Sequence, residues 1–201
     1  MSVDPHFDFT KHYVLEDDRV ILRPLTLLDA TYLVDYVKNE PSIWQFSLVA
    51  IQQQEDLEGY IHSAVKSRED KTAYPFIVFD KNTQTYVGST RFYDMQLEFK
   101  TTQLGYTWYS QKVWGTGLNA HCKFLLLQFA FEKMDLKRVE FRADNDNKRS
   151  IAAMQKIGCT TEGVLRSHLP RPNGTRRDSI VLSITQEEWY SQVKTLIQSQ
   201  L

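Results

Sequence analysis

Residues 111–119, Gln-Lys-Val-Trp-Gly-Thr-Gly-Leu-Asn, restrict the fold more than any other part of the chain, because they join a strand pattern to a helix pattern. Residues 103–109 before them read as a strand, and 118–133 after them form a long run with an apolar helical face. Residues 136–143, Leu-Lys-Arg-Val-Glu-Phe-Arg-Ala, then alternate apolar and polar side chains as a second strand does. A strand that returns after a helix is expected to lie parallel to the strand before it. The turn itself is suited to an anion. The first turn of a helix has backbone N–H groups without partners, the macrodipole adds partial positive charge, and Gly115 and Gly117 let a ligand approach the backbone.

The rest of the chain reads as one domain. It has 201 residues, 42% of them hydrophobic and 24% charged, which is enough apolar material for a real core and argues against disorder. A net charge of −1 provides no general basic field for nucleic acid or an acidic membrane, and the most basic run, 166–177, is a short turn-rich loop. No apolar run approaches the roughly 20 residues that span a bilayer. The start of the chain lacks the apolar core of a signal peptide, so a cytoplasmic protein is expected. Cys122 and Cys159 have no metal-type spacing and are expected to be buried, reduced thiols; no metal site is expected.

In chain order, residues 1–18 read as a loosely attached arm and 19–201 as a single domain. A first strand, 19–25, stops at Pro24. A helix over 27–39, capped by Thr26 or Asp29, is expected to bury Leu28, Tyr32, Leu33, Tyr36 and Val37. A second helix spans 52–66. Strands 76–79 and 86–93 form a hairpin, and 95–102 is a polar connection. After the strand–turn–helix–strand unit, Asn147 or Asp146 caps a helix that runs to Ile157, where Gly158 ends it. Strands 160–167 and 176–185 form a final hairpin, and 187–198 is an amphipathic helix. The class is α+β.

Phosphate motifs discriminate only partly. A P-loop would need lysine after Gly117, where Leu118 stands, and a dinucleotide fingerprint would need a third glycine and an earlier place in the chain. The order of elements carries more. Together with Leu104-Gly105-Tyr106, Trp114-Gly115-Thr116-Gly117, Arg138-Val139-Glu140, Asn147-x-x-Ser150, Lys156-Ile157-Gly158 and Glu162-Gly163-Val164-Leu165-Arg166, it resembles the GNAT acyl-CoA N-acyltransferases, in particular their RimJ/RimL-like branch. The resemblance runs from about Arg19 to Leu182, and Lys112 replaces the usual first residue of the pyrophosphate loop. It implies a mixed, mostly antiparallel twisted sheet of about seven strands flanked by helices, whose splayed parallel pair binds CoA. It also implies acetyl-CoA as co-substrate, a peptide N-terminus or small amine as acceptor, and leaves a homodimer open.

On that resemblance, Trp108 and Tyr109 would hold the pantetheine arm as an added strand, and the turn residues Lys112, Gly115, Thr116, Gly117, Leu118 and Asn119 would take the pyrophosphate. Asn147 would contact pantetheine, and it would also serve as a plain helix cap. Many relatives protonate the departing thiolate with a tyrosine where this chain has Met154, so Ser150 is the candidate donor, set against an ordinary helical serine. No carboxylate follows strand 160–167; His168 titrates in the right range for a base, although a lone loop histidine is more often a bystander. Glu162 and Asp178 are expected to fix the hairpin. Without a dedicated carboxylate, a low-pKa amine is the better acceptor, since an α-amine near ~8 is about a tenth neutral at pH 7 and a lysine near ~10.4 far less so. Trp44, Phe46, Tyr93 and Tyr106 are placed at the acceptor cleft, against the alternative of core packing. The alternative function is a non-catalytic acyl-CoA-binding module. The spacing from Gly105 to Trp114 is one residue longer than the commonest in the branch, which predicts a bulge in strand 103–109.

Overall fold

The computed structural model describes residues 7–201. Eight strands form one sheet: β1 (Leu15–Glu16), β2 (Val20–Pro24), β3 (Ala73–Asp80), β4 (Thr85–Gln96), β5 (Thr101–Tyr109), β6 (Arg138–Asp144), β7 (Thr160–Pro170) and β8 (Arg176–Thr185). Their spatial order is β1-β2-β3-β4-β5-β6-β8-β7, one strand more than expected because the short β1 pairs Leu15 with Leu22. Every neighbouring pair is antiparallel except β5–β6, which is parallel as the intervening helix requires.

Alternation along the strands separates two apolar layers. Tyr74, Phe76 and Val78 of β3 join Leu104, Val139, Phe141 and Leu182 under the long helix α3 (Leu118–Gln128). Ile77 points the other way, with Leu33, Leu57, Ile61 and Trp108, under α1 (Ala30–Asn39) and α2 (Gln54–Glu69). α3 continues as a π-helical turn, Phe129–Lys133. α4 (Lys148–Lys156) follows β6, and α5 (Gln186–Glu188), a π-turn at Trp189–Val193 and α6 (Lys194–Gln198) make one continuous C-terminal helix. Trp189 is fully buried there, stacks on Phe131 at 5.6 Å, and donates its Nε1–H to Glu132 Oε1 at 3.0 Å.

Two expectations need correction. The helix predicted over 27–39 starts as a 3₁₀ turn, Leu27–Asp29, because the buried Asp29 carboxylate turns inward to bind Arg23 at 2.6 and 2.9 Å and the Thr26 N–H at 2.8 Å. Leu33 and Val37 are buried as expected, but Leu28 and Tyr32 are exposed. The arm is not loose where it is described. Phe7 stacks on Tyr13 at 5.1 Å within the main core, and the Arg68 guanidinium donates to the carbonyls of Phe9 and Lys11 at 2.8 Å each. Residues 1–6 lie outside the described residues. Cys122 and Cys159 are buried free thiols, and burial pushes each up to about 12. No helix among the described residues is long and apolar enough to cross a membrane.

Candidate active site

β5 and β6 pair only over Thr101–Arg138, Thr102–Val139 and Gln103–Glu140; beyond these residues the strands diverge. A bulge in β5 accompanies the divergence. Ser89 faces Trp108 and Arg91 faces Gly105, so three steps along β5 oppose two along β4. Tyr106 takes up the extra length with φ +49. The predicted additional residue is thus visible as a kink at the slot. The slot is part of a cleft of about 670 Å³.

The glycine turn closes one end. Gly115 (φ +75) and Gly117 (φ +88) adopt left-handed backbone that only glycine reaches without strain, and a Cβ at either would project into open space. Among the described residues, the N–H groups of Gly115, Gly117, Leu118 and Asn119 have no hydrogen-bond acceptor, whereas Trp114, Thr116 and Ala120 donate to carbonyls inside the turn. Four free amides at a helix N-terminus make a nest for a polyanion. Glu40, at the end of α1, fixes the turn's entry by accepting from Ser110 Oγ at 2.8 Å and the Gln111 N–H at 2.6 Å.

Three expected turn residues present no side chain to the cleft. Because Glu40 twists Gln111–Val113 into a 3₁₀ turn, Lys112 points into a separate groove beside Tyr36, Asn39 and Glu40, and the cation expected next to phosphate is not there. Thr116 donates to Val113 O at 2.8 Å and accepts from Arg19. Leu118 is buried in the core and contributes only its N–H. Their place is taken by Arg149, whose guanidinium lies 3.3 Å over the Trp114 ring, and by Lys156; both line the cleft.

α4 brings Asn147 and Ser150 to the slot. Asn147 Oδ1 accepts from the Ser150 N–H at 3.1 Å, which makes it a true N-cap and leaves its NH₂ group free. Ser150 uses only its backbone in this cap; its hydroxyl has no partner among the described residues and lines the cleft beside Met154. On the opposite wall stands Lys123, a residue the sequence reading passed over. It is 5% exposed, has no carboxylate partner among the described residues, donates to Thr107 Oγ1 at 3.2 Å and lies 5.5 Å from the Phe141 ring. Burial pushes its ammonium down to about 8. Its signal was in the sequence: Lys123 stands four residues before Leu127 and seven before Ala130, on the buried face of the helix.

All four aromatic residues expected at the acceptor side line the cleft. Trp44 also packs on Trp108 at 4.4 Å, so its packing and cleft roles coincide. Tyr93 meets Tyr106 edge-on at 4.9 Å, and Arg91 stacks on Tyr106 at 4.0 Å and on Tyr60 at 4.9 Å, which stiffens this wall. Asp94 enters the lining from β4. It is the one lining carboxylate without a cationic partner among the described residues, and it accepts from Gln103 Nε2 at 2.7 Å. The other lining carboxylate, Asp144, is gripped by Arg171 at 2.8 and 2.9 Å.

His168 reaches the cleft through a bulge. Leu165 faces Ser179 and Leu169 faces Arg177, so four steps of β7 oppose two of β8 and the ring turns inward. Asp178 holds the bulge by accepting the Ser167 N–H at 2.7 Å, and Glu162 pairs with Arg138 at 2.6 Å; both acids fix the hairpin as expected. Ser179 Oγ accepts from Arg177 Nε at 3.0 Å and lies 3.0 Å from His168 Nδ1. With Oγ already accepting from Arg177, the arrangement suits a hydroxyl that donates to Nδ1, the tautomer in which Nε2 carries the hydrogen. Partial burial and the positive charges of Arg142, Arg177 and Arg176 lower the pKa of this imidazole. The lowered pKa favours the uncharged ring at neutral pH, and in this tautomer Nε2 presents a donor to the cleft.

Among the described residues, Asp17, Asp18 and His121 are the one group of potential metal ligands that converge, and none of them lines the cleft.

Comparison with known proteins agrees with this architecture. The chain is 25% identical over 171 residues to the uncharacterized N-acetyltransferase YoaA of Bacillus subtilis (strain 168), spanning 85% of this chain and 96% of that protein. A crystal structure of a candidate acetyltransferase from T. thermophilus superposes with a TM-score of 0.85 at 27% identity, covering 98% of this chain and all (100%) of that one. Mycobacterium smegmatis RimJ in complex with CoA-disulfide has the same fold, with a TM-score of 0.77 at 18% identity over 94% of this chain and 93% of that one. Residues 19–160 match the family described as the acetyltransferase (GNAT) domain. The chain belongs to the GNAT acetyltransferase family.

Proposed function

We propose that this acetyltransferase moves an acetyl group from acetyl-CoA to a primary amine, an N-terminal or small-molecule amine, by direct attack in a ternary complex. One observation carries the reading: an unpaired β5–β6 slot that ends on four free amides at the N-terminus of α3. The slot suits an extended amide-bearing arm and the amides suit a pyrophosphate. That RimJ, of the same fold, is known with a CoA-disulfide supports the same ligand class here.

In this reading the pantetheine lies along the open edge of β5 near Trp108 and Tyr109, and the Asn147 NH₂ group donates to it while Oδ1 keeps the cap. Arg149 and Lys156 offset phosphate charge. The neutral amine attacks the thioester carbon, and a β5 N–H at the bulge stabilises the oxyanion. Asp94 with Gln103 holds the ammonium beforehand and passes its proton to water. As the C–S bond breaks, its electron pair goes to sulfur, where the Ser150 hydroxyl supplies a proton and the Lys123 ammonium supplies positive charge; the extra proton left on the acetylated nitrogen returns through solvent to the serine oxygen, which restores Ser150 and leaves a neutral amide.

Met154, which has no proton to give, favours the alternative of a binding module without chemistry. A thiol-release assay with acetyl-CoA and an amine panel, paired with thermal shifts by CoA and by ADP, separates the two. Turnover on any amine is expected. Tight CoA binding without turnover would leave the binding module, and no shift with CoA would remove the cleft assignment.

A further inference from the structure

The cleft contains a buried cation with no ion pair among the described residues. Arg177 is 7% exposed and lines the cleft, and its single hydrogen bond among the described residues runs from Nε to Ser179 Oγ at 3.0 Å. Its Nη groups have no acceptor there. Asp144, whose charge also acts on Arg177, is held by Arg171 through both oxygens, and Glu140 accepts from Arg142 at 2.7 Å and pairs with Arg138. A guanidinium withdrawn from water without a counter-ion is costly unless a ligand supplies the charge.

The surroundings are shaped for one. The same Ser179 hydroxyl that orients Arg177 lies 3.0 Å from His168 Nδ1, so the guanidinium fork and the imidazole ring are mounted side by side. Arg177 and Ser179 alternate with Ile180 and Leu182, which belong to the core under α3, so the fork lies on the face away from α3 and its phosphate nest. The cleft also offers acceptors for a cation, namely the Asp94 carboxylate and Gln103, whose Oε1 is buried without a partner.

Resting on the acetyl-transfer reading above, we infer that the acceptor amine also bears a carboxylate, which Arg177 binds through its fork with His168 as the second donor while Asp94 and Gln103 take the ammonium. A planar carboxylate fits two parallel N–H donors as an ammonium or a neutral group cannot. Two sources share this chemistry: a free amino acid, and a peptide whose first residue is Asp or Glu.

The test compares matched acceptors in the thiol-release assay with acetyl-CoA. One arm uses each amino acid, its carboxamide and its decarboxylated amine; the other uses tripeptides that begin with Asp or Glu and their Asn or Gln counterparts. In at least one arm, the carboxylate-bearing member is expected to have a kcat/KM roughly a hundredfold above its neutral analogue, the scale of charge-assisted hydrogen bonds. The difference should lie mainly in KM. Arg177→Gln is expected to bring the acid down to the level of its amide, and Arg177→Lys to retain a smaller preference, since the charge remains and the fork is lost. Folding of each variant is verified by its thermal shift with CoA; should Arg177→Gln fail to fold, the wild-type pairs and Arg177→Lys decide. Equal kcat/KM for acids and their neutral analogues overturns the inference and leaves acetyl transfer intact. CoA binding with no turnover on any carboxylate-bearing amine also overturns it. Failure of CoA to bind at all overturns the underlying reading instead.

Discussion

Replacing Lys123 with methionine should make the protein more stable and less active, and the pH dependence of the stability gain identifies its cause. Burial lowers the Lys123 ammonium from the ordinary 10.5 to about 8, and each tenfold change in proton affinity is worth about 1.4 kcal/mol, so the charged side chain costs the native state about 3 kcal/mol. The folded chain holds this proton less tightly than the unfolded one. The penalty is therefore full below pH 8, shrinks as pH rises from about 8 to 10.5, and is gone above that range. Methionine has similar volume and no charge, and it forfeits only the hydrogen bond to Thr107, worth about 1 kcal/mol. A net gain of about 2 kcal/mol is expected at pH 7, falling to zero or slightly below near pH 10.5. Urea unfolding of both proteins, followed by tryptophan fluorescence, measures it. A difference that is absent at pH 7, or constant between pH 7 and 10, would refute a desolvated ammonium. Turnover should fall at least about tenfold in the same variant, as expected for a charge held against stability at a reacting centre.

Three further outcomes follow from the geometry. Gly117→Glu should leave a folded protein, since the new side chain enters open space at a backbone cost of about 1–2 kcal/mol, but weaken CoA binding by about a hundredfold or more; calorimetric titration checks it. Ser150→Ala should lower turnover by roughly a hundredfold with CoA affinity little changed. The Asn147 cap uses the Ser150 backbone, so loss of capping cannot explain that result, and unchanged turnover would reduce Ser150 to an ordinary helical serine. Gly88→Ala would place a Cβ 2.1 Å from Trp108 O, and prying β4 from β5 at the bulge should cost at least about 3 kcal/mol in chemical denaturation.

The glycine-turn end of the cleft was legible in the sequence because it is local. Gly115, Gly117 and Asn147 act through backbone conformation, helix ends and caps, which neighbouring residues dictate. Even the β5 bulge could be read as one residue too many. Lys112 misled for the same reason in reverse: its place in the motif suggested a phosphate cation, but its direction depends on Glu40, 72 positions earlier by residue number, which binds the turn and rotates the lysine away. The helix at 27–39 was misjudged because one buried ion pair, Arg23–Asp29, outweighed helical periodicity at its first turn.

The aromatic residues of the other side were named from the sequence, but its polar groups could not be grouped that way, because they meet only through tertiary structure. Asp94 comes from β4, Gln103 from β5, His168 from β7 and Arg177 from β8, and no spacing in the chain relates them. In the sequence, 166–177 looked like a solvated basic loop around a lone histidine. In the fold, Arg166-Ser167-His168 bulges out of register with β8, Ser179 ties the ring to the Arg177 guanidinium, and Arg177 is buried with no ion pair among the described residues. The sequence offered His168 as a candidate base, and the fold sets its ring beside a buried guanidinium through their shared contact with Ser179. An imidazole beside a guanidinium is equipped to hold an anion, and in the proposed reaction the amine loses its proton through Asp94. The two halves of the site also differ in what changes them. Substitutions in the glycine turn should alter CoA binding for every acceptor alike, whereas substitutions at Arg177 should discriminate between acceptors and leave the CoA titration in place.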